Sequence, residues 1–141
     1  MTARVTHSAA ETEDVAAALA GGFAGGEVVL LSGELGAGKT AFVRGLARGI
    51  GIDPGEVASP TFVLLTAYPG RVTLHHADLY RLEAKDADRE LGLEELPGGS
   101  GVLAVEWAER LSFIPWPHVW RVALEHEGEN TRRVTVTEES L

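Results

Sequence analysis

Residues 33–40 carry the feature that most limits the folds open to this chain, because they read GELGAGKT and match G-x-x-x-x-G-K-[ST]. This pattern is typical of the phosphate-binding loop, or P-loop, which lies between a β-strand and an α-helix. An apolar run predicts a strand over 27–33, and apolar residues at helical spacing predict a helix over 39–50. The motif therefore has the context that phosphate binding requires.

The residue types of this loop suit an anion. Glycines let the backbone turn its N–H groups inward, and the following helix presents its positive dipole end to the same anion. Lys39 is expected to reach the β- and γ-phosphates, and the Thr40 hydroxyl to ligate Mg²⁺. The predicted nucleotide contacts in and beside the loop are Gly33, Leu35, Gly36, Ala37, Gly38, Lys39, Thr40 and Ala41.

The glycine content leaves a simpler interpretation open, a strand-to-helix turn that binds nothing. Glycine supplies 17 of the 141 residues, so a chance match is easier here than in an average chain. Against this alternative, the chain has only two lysines, Lys39 and Lys85, and one of them occupies the position that the motif requires. Nucleotide binding is the favoured interpretation.

Length and composition indicate a single globular domain over residues 1–141. No apolar run approaches the roughly 18 residues of a membrane span, and the N-terminus lacks the pattern of a secretion signal. The absence of cysteine excludes disulfides and thiolate metal sites. We therefore expect a cytoplasmic protein, with no membrane partner, where ATP and Mg²⁺ are available.

The net charge of −9 argues against a broad nucleic-acid surface, because binding a phosphate backbone needs clustered Lys and Arg. The positive residues are scattered apart from Arg132-Arg133. That pair suits a phosphate contact and equally suits solvated charge on a hairpin. If the protein works near RNA, a partner is expected to hold the RNA.

Turn signals predict two antiparallel hairpins beside the P-loop unit. The Pro69-Gly70 pair predicts a tight turn into a strand over 72–78. Residues 119–136 alternate on either side of a polar turn and predict the second hairpin. The run 102–105 predicts a buried strand of the parallel type.

Two further helical segments are predicted. Ser8 and Glu11 have the spacing of a capping box, and the polar segment 83–96 is helix-prone. The acidic residues in 86–95 suit a docking surface or a solvated helix face. The predicted fold is α/β, a P-loop NTPase-like three-layer sandwich whose mixed sheet has parallel central strands and antiparallel hairpins.

Two carboxylates end apolar strands where ligands of such sheets collect. Asp78 follows one strand and Glu106 follows another, and ligands bind at the carboxyl ends of parallel strands. Each suits an N-cap or a surface charge as well, since the chain has 21 acidic residues. Two in one layer beside a P-loop favour an Mg²⁺ ligand or a water-orienting group.

Other nearby residues give weaker signals. Thr61 lies beyond the P-loop helix, where switch segments meet the γ-phosphate, although Ser59-Pro60-Thr61 also makes an ordinary turn. Trp107 follows Glu106 and would face the other way in a strand, which favours core packing. His75 and His76 face opposite sides of a strand, so a shared metal ion is not expected.

Taken together, these motifs resemble the TsaE (YjeE) family, small bacterial P-loop ATPases required for threonylcarbamoyladenosine modification of tRNA. The markers are the P-loop, SPTF at 59–62, HADLYRL at 76–82 and VEW at 105–107. Many NTPases share the P-loop. The three later motifs, in this order and in so short a chain, are much more specific, and the resemblance covers almost the whole chain.

The resemblance implies a protein that binds ATP or ADP with Mg²⁺, hydrolyses ATP slowly by itself and acts with TsaD and TsaB. It meets tRNA only indirectly, through that complex. By position, Thr40 and Glu106 match the Mg²⁺ residues of the family, and Asp78 matches a residue essential for ATPase function. Trp107 matches a functionally sensitive position, which with Thr61 makes it a possible sensor, and Arg132 matches a C-terminal nucleotide contact.

One position departs from the family pattern. The family commonly has a second threonine after Thr40, and this chain has Ala41. A hydroxyl there helps to hold the α-phosphate. Its loss is expected to cost about 0.5–1.5 kcal/mol, or roughly two- to tenfold in nucleotide affinity.

The leading hypothesis is a Mg²⁺-dependent ATPase, weak alone and dependent on partners, with Lys39, Asp78 and Glu106 as its catalytic residues. Two alternatives stay open. A small-molecule P-loop kinase needs an acceptor pocket and an arginine-bearing lid, and the chain has no arginine-rich insertion. A nucleotide-dependent binding module without significant catalysis would carry the same P-loop.

Overall fold

The computed structural model describes residues 1–34, 36–57, 65–82 and 87–140, and the strands within these ranges form one mixed sheet. In chain order the strands and α-helices are β1 (Thr2–Thr6), α1 (Ala9–Ala20), β2 (Val28–Gly33), α2 (Lys39–Ile50), β3 (Leu65–Tyr68), β4 (Thr73–Asp78), β5 (Gly101–Glu106), β6 (His118–His126) and β7 (Arg132–Ser140).

The strand that leads into the P-loop lies at the centre of the sheet. β2 pairs with β5 on one side and β6 on the other, in parallel with both, and β4 extends the parallel part beyond β5. β3 adds an antiparallel edge beside β4, while β7 and β1 add antiparallel strands beyond β6. The predicted mixed sheet, with parallel central strands and two antiparallel hairpins, is confirmed.

Each face of the sheet carries a hydrophobic core, which explains why the central strands are apolar on both sides. Leu31 packs with Phe42 and Leu46 of α2 in the core under the helices. Its neighbour Leu30 points to the opposite face and packs in a second core that includes Trp116. Consecutive residues of one strand therefore serve two cores, as expected for the middle layer of a sandwich.

The first helix begins at the predicted capping motif. The Ser8 hydroxyl accepts a hydrogen bond from the Glu11 N–H at 3.1 Å, which satisfies one free donor of the first turn. The Glu11 carboxylate accepts the N–H of His7 at 3.0 Å, one residue before the cap. Neither α1 nor α2, nor any other helix in the described ranges, is long and apolar enough to cross a bilayer.

Close packing of α1 against α2 depends on Gly45. A Cβ atom at this position would lie 2.2 Å from the carbonyl oxygen of Glu13 and 2.6 Å from the Cβ of Ala16. Both distances are far below van der Waals contact, so the two helix backbones approach here more closely than any side chain permits. This contact holds α1 beside the helix that carries Lys39 and Thr40.

The prediction of a helix over 83–96 was wrong about the type of structure. Residues 83–86 lie outside the described part, and the rest forms two short 3₁₀ turns, Ala87–Leu91 and Leu93–Glu95, separated by Gly92 with a φ of 68°. The Asp88 carboxylate is buried and accepts hydrogen bonds from the N–H and the hydroxyl of Ser112, both at 3.0 Å. This tertiary contact accounts for one acidic residue that a solvated helix face would have exposed.

Candidate functional site

The loop between β2 and α2 depends on glycine at its entrance and its exit. Gly33 has a φ of 150°, and a Cβ there would lie 2.4 Å from the carbonyl oxygen of Leu124. Gly38 precedes α2 with a φ of 105° and offers no side chain as a cap, so the first N–H groups of α2 have no side-chain acceptor from it. Both features match the predicted anion site.

Lys39 lies in the first turn of α2, and its ammonium group lies against the loop. Nζ donates hydrogen bonds to the carbonyl oxygens of Gly33 at 2.5 Å and Glu34 at 2.8 Å. It also lies 4.0 Å from the centroid of the Trp107 ring, a cation–π contact. Burial lowers the pKa of Lys39, and the charge of Glu106 acts in the opposite direction.

The structure brings the two predicted strand-end carboxylates together. Asp78 ends β4 and Glu106 ends β5, and the two residues are direct partners in the parallel register. Both side chains are buried, with 7% and 2% of their residue surface exposed. The Thr40 hydroxyl donates to Glu106 Oε1 at 3.3 Å, which joins the start of α2 to the end of β5.

Asp78 makes the capping contact that was one interpretation of its position at the end of a strand. Its Oδ1 accepts the N–H of Tyr80 at 3.0 Å, so it stabilises the turn that follows β4. Burial raises the pKa of Asp78, the Tyr80 N–H lowers it, and the neighbouring Glu106 charge raises it. A buried carboxyl of raised pKa beside a P-loop suits proton exchange or the orientation of water.

Strand alternation favoured core packing for Trp107, and the family resemblance made it a possible sensor. It leaves β5 with a φ of 59°, a left-handed conformation that is rare outside glycine, and so strand alternation no longer decides where its ring points. The ring packs partly against the second core, lies 5.0 Å from the Tyr80 ring between centroids, and presents a face to Lys39. The backbone turn thus brings an aromatic ring to the P-loop lysine.

Sequence reasoning missed His76 as part of the site. This fully buried residue lies on β4 two positions before Asp78, so it faces the same side of the sheet. Its Nε2 is 2.5 Å from Glu106 Oε2. The signal was strand alternation, which had been applied to the His75-His76 pair only to argue against a shared metal ion. His75 faces the other way, and burial lowers its pKa.

A cavity of about 220 Å³ lies beside the loop, between the start of α1 and the start of β7. Its lining is Ser8, Ala9, Thr12, Gly36, Gly38, Ala41, Asn130 and Arg132. The Arg132 guanidinium donates to the carbonyl oxygen of Gly36 at 3.3 Å, so the hairpin residue predicted as a nucleotide contact reaches the loop. Leu35 and Thr61, two other predicted site residues, lie outside the described residues and stay predictions.

These features define a class of protein: an α/β P-loop protein whose central strand, loop lysine, helix-start threonine and strand-end carboxylates share one edge of the sheet. The family described as "Threonylcarbamoyl adenosine biosynthesis protein TsaE" matches residues 6–134. That match covers most of the chain. The chain belongs to the TsaE family, as its sequence resemblance indicated.

Individual relatives agree with this assignment. A protein of Treponema pallidum is 43% identical over 111 residues, which cover 79% of this chain and 82% of the relative. A protein of Bacillus subtilis is 38% identical over 128 residues, which cover 90% of this chain and 79% of the relative. Both are named tRNA threonylcarbamoyladenosine biosynthesis protein TsaE.

A solved structure gives the same answer for the fold. The crystal structure of Bacillus subtilis YdiB superposes with a TM-score of 0.75 at 30% sequence identity. The superposition covers 99% of this chain and 86% of that chain. The arrangement of strands and helices is therefore that of a known relative along nearly the whole length.

Proposed function

We propose that this chain is a Mg²⁺-dependent ATPase, weakly active alone, that serves the threonylcarbamoyladenosine modification of tRNA. The pathway comes from the family and from the names of its relatives. The observation that carries the ATPase part is the contact of Thr40 with Glu106 beside Lys39. A hydroxyl at the start of the P-loop helix and a carboxylate at a strand end are what a P-loop enzyme uses to hold its metal ion.

The residues present fit both ATP and Mg²⁺. The N–H groups at the start of α2 and the Lys39 ammonium suit the phosphates, and the cavity near Arg132 suits the remainder of the nucleotide. In the described residues no three His, Asp or Glu side chains are grouped as a metal site. This fits Mg²⁺, which commonly takes one or two protein ligands, here Thr40 and Glu106, and fills its shell with phosphate oxygens and water.

The chain's own residues have separable tasks in the proposed reaction. Lys39 would exchange its contacts with loop carbonyls for phosphate oxygens and stabilise the charge that develops there. Bound Mg²⁺ would supply further positive charge at the β- and γ-phosphates. Asp78, whose burial raises its pKa, would orient water or relay the nucleotide state to a partner.

Slow turnover alone is expected because phosphoryl transfer depends mainly on positioning and charge, which a partner can complete. We propose TsaD and TsaB as those partners and the cytoplasm as the location. The net charge of −9 supports contact with tRNA only through the complex. A sheet with a core on each face supports one domain over residues 1–141.

A deletion strain of the source organism tests this proposal. Loss of the gene should abolish or strongly reduce threonylcarbamoyladenosine in tRNA, measured by mass spectrometry of hydrolysed tRNA. The wild-type gene and a surface control, Glu56→Gln, should restore the nucleoside, whereas Lys39→Ala and Glu106→Gln should not. Unchanged threonylcarbamoyladenosine in the deletion strain would contradict the proposed pathway.

A further inference from the structure

We propose that His76 is a positioning residue of the ATPase site, which holds one oxygen of the Glu106 carboxylate so that the other oxygen faces Thr40. The inference rests on the proposed function and adds a residue that neither the P-loop motif nor the strand-end carboxylates include. Among the described residues, the hydrogen bond of His76 goes to Glu106, and His76 is not part of the lining of the cavity beside the loop. Its effect on the metal site would pass through Glu106.

The two oxygens of Glu106 have different partners. Oε1 accepts the Thr40 hydroxyl at 3.3 Å, and Oε2 lies 2.5 Å from His76 Nε2. Rotation of the carboxylate about its last bond would break both contacts. The two contacts therefore hold the carboxylate in one orientation, with Oε1 toward Thr40 and Oε2 toward His76.

The sheet register explains how the imidazole reaches Glu106. His76 pairs with Ala104 on β5, and Asp78 pairs with Glu106 two residues further along. These four side chains point to the same face of the sheet. The small side chain of Ala104 leaves room beside it, so the ring of His76 extends diagonally across to the next polar position of β5.

Packing alone does not account for a histidine at this position. His76 is fully buried, and its Nδ1 has no hydrogen-bond partner among the described residues. A carboxylate can only accept, so Nε2 donates to it. Nδ1 is left buried without a partner among the described residues, which costs free energy. A leucine at this position would avoid that cost. It could not, however, donate the hydrogen bond that His76 Nε2 makes to Glu106.

Hydrogen-bond partners behind a metal-binding carboxylate orient it, and their removal typically lowers metal affinity or activity about ten- to a hundredfold. The test is the gain in ATP affinity when Mg²⁺ is added, measured by calorimetry, which needs no turnover. His76→Leu should reduce this gain by about tenfold or more while leaving the Mg²⁺-free affinity at the wild-type value. The adjacent His75→Leu, on the other face of β4, is the matched control and should keep the full gain.

Two variants with amide side chains test whether a donor must lie at the position of His76 Nε2. The amide nitrogen of glutamine can reach the place of Nε2, whereas that of asparagine is shorter and cannot. His76→Gln should therefore retain most of the Mg²⁺ effect and His76→Asn should lose it. If His76→Leu fails to fold, as judged by circular dichroism, the order of these two variants decides, and equal losses would overturn the proposal.

A double-mutant cycle tests whether His76 acts through Glu106. In a Glu106→Gln protein, adding His76→Leu should cause no further loss of the Mg²⁺ effect. Fully additive losses would overturn the positioning role, as would a folded His76→Leu protein with the wild-type Mg²⁺ effect. Those results leave the proposed function intact, whereas a wild-type protein that binds no ATP would overturn the proposed function and this inference with it.

Discussion

Lys39, His76, Asp78 and Glu106 are each less than a tenth exposed, although ionisable side chains are seldom buried without partners. Each has at least one: loop carbonyls for Lys39, the Tyr80 N–H for Asp78, and a hydroxyl and an imidazole for Glu106. Removal of one member leaves a buried partner uncompensated. Stability and activity therefore have to be measured side by side for every variant at this site.

Asp78→Asn is expected to stabilise the fold at neutral pH while it lowers ATP turnover. Burial raises the pKa of Asp78 above its ordinary value of 3.8, so the folded state binds its proton more tightly than the unfolded state does. The unfolding free energy of the wild type therefore falls as the pH rises from the ordinary pKa of 3.8 through the raised pKa of the folded state. Asparagine removes this loss and keeps an oxygen that can accept the Tyr80 N–H.

Urea unfolding of both proteins at several pH values measures this effect. The advantage of Asp78→Asn in unfolding free energy should be largest near pH 7 and should shrink as the pH falls toward 3.8. A variant that is less stable than the wild type at pH 7, with the same pH dependence, would show that the buried charge is fully compensated in the fold.

Ala41→Thr is expected to strengthen nucleotide binding. Ala41 lines the cavity beside the loop, in the first turn of α2, where a hydroxyl would add one donor for an α-phosphate. One neutral hydrogen bond corresponds to about two- to tenfold in affinity. Titration of ADP into both proteins checks this, with Ala41→Ser as the smaller hydroxyl control, and weaker binding by both variants would contradict it.

The close contact of α1 with α2 involves the helix that follows the P-loop. Because a Cβ at Gly45 would lie 2.2 Å from the Glu13 carbonyl oxygen, Gly45→Ala forces the helices apart. We expect a loss of about 1–3 kcal/mol in unfolding free energy, typical of an overpacked contact. Thermal or urea denaturation measures it.

Gly22→Ala provides the control for that measurement. A Cβ at Gly22 meets nothing within 4 Å, so the same chemical change is made without a steric clash. Its effect on stability should be much smaller. Equal losses of unfolding free energy for the two substitutions would contradict this. They would mean that the close contact at Gly45 does not stabilise the packing of α1 on α2.

The elements that sequence alone predicted are those with local signals. The strand and helix around residues 33–40 follow from the P-loop motif, which lies between a strand and a helix. The proximity of Asp78 and Glu106 follows from the rule that the carboxyl ends of parallel strands lie at the same edge of a sheet. The bond of His76 to Glu106 depends on the register between β4 and β5. Hydrophobic alternation shows which face a residue occupies, but not its cross-strand partner.

Other elements escaped prediction because tertiary contacts decided them. The polar residues after 86 favour a helix locally, yet the burial of Asp88 against Ser112 goes with 3₁₀ turns instead. Trp107 was placed by strand alternation, which ceases to apply where the backbone turns left-handed at the end of β5. The edge strand β1 was not predicted, since it depends on pairing with β7 at the other end of the chain.

At the scale of the whole molecule, the sheet collects residues from the two halves of the chain at one edge. Thr40 comes from the P-loop helix, Asp78 and Glu106 from β4 and β5, and Arg132 from the last hairpin. In the proposed function this site acts on a nucleotide, and protein partners respond to its state. Activity measured on the chain alone therefore reports only part of the proposed function.

Phosphate release from ATP by the purified protein, alone and then with TsaB and TsaD, tests the central claim most directly. We expect slow, Mg²⁺-dependent release that the two partners stimulate. Glu106→Gln should lower the stimulated rate by at least the roughly ten- to hundredfold that is typical of losing a hydrogen-bond partner of a metal ligand. Glu56→Gln, at an exposed residue outside the acidic segment 86–95, should not lower it. If the protein binds ATP but releases no phosphate even with both partners present, the chain is a nucleotide-dependent binding module and the ATPase account is wrong.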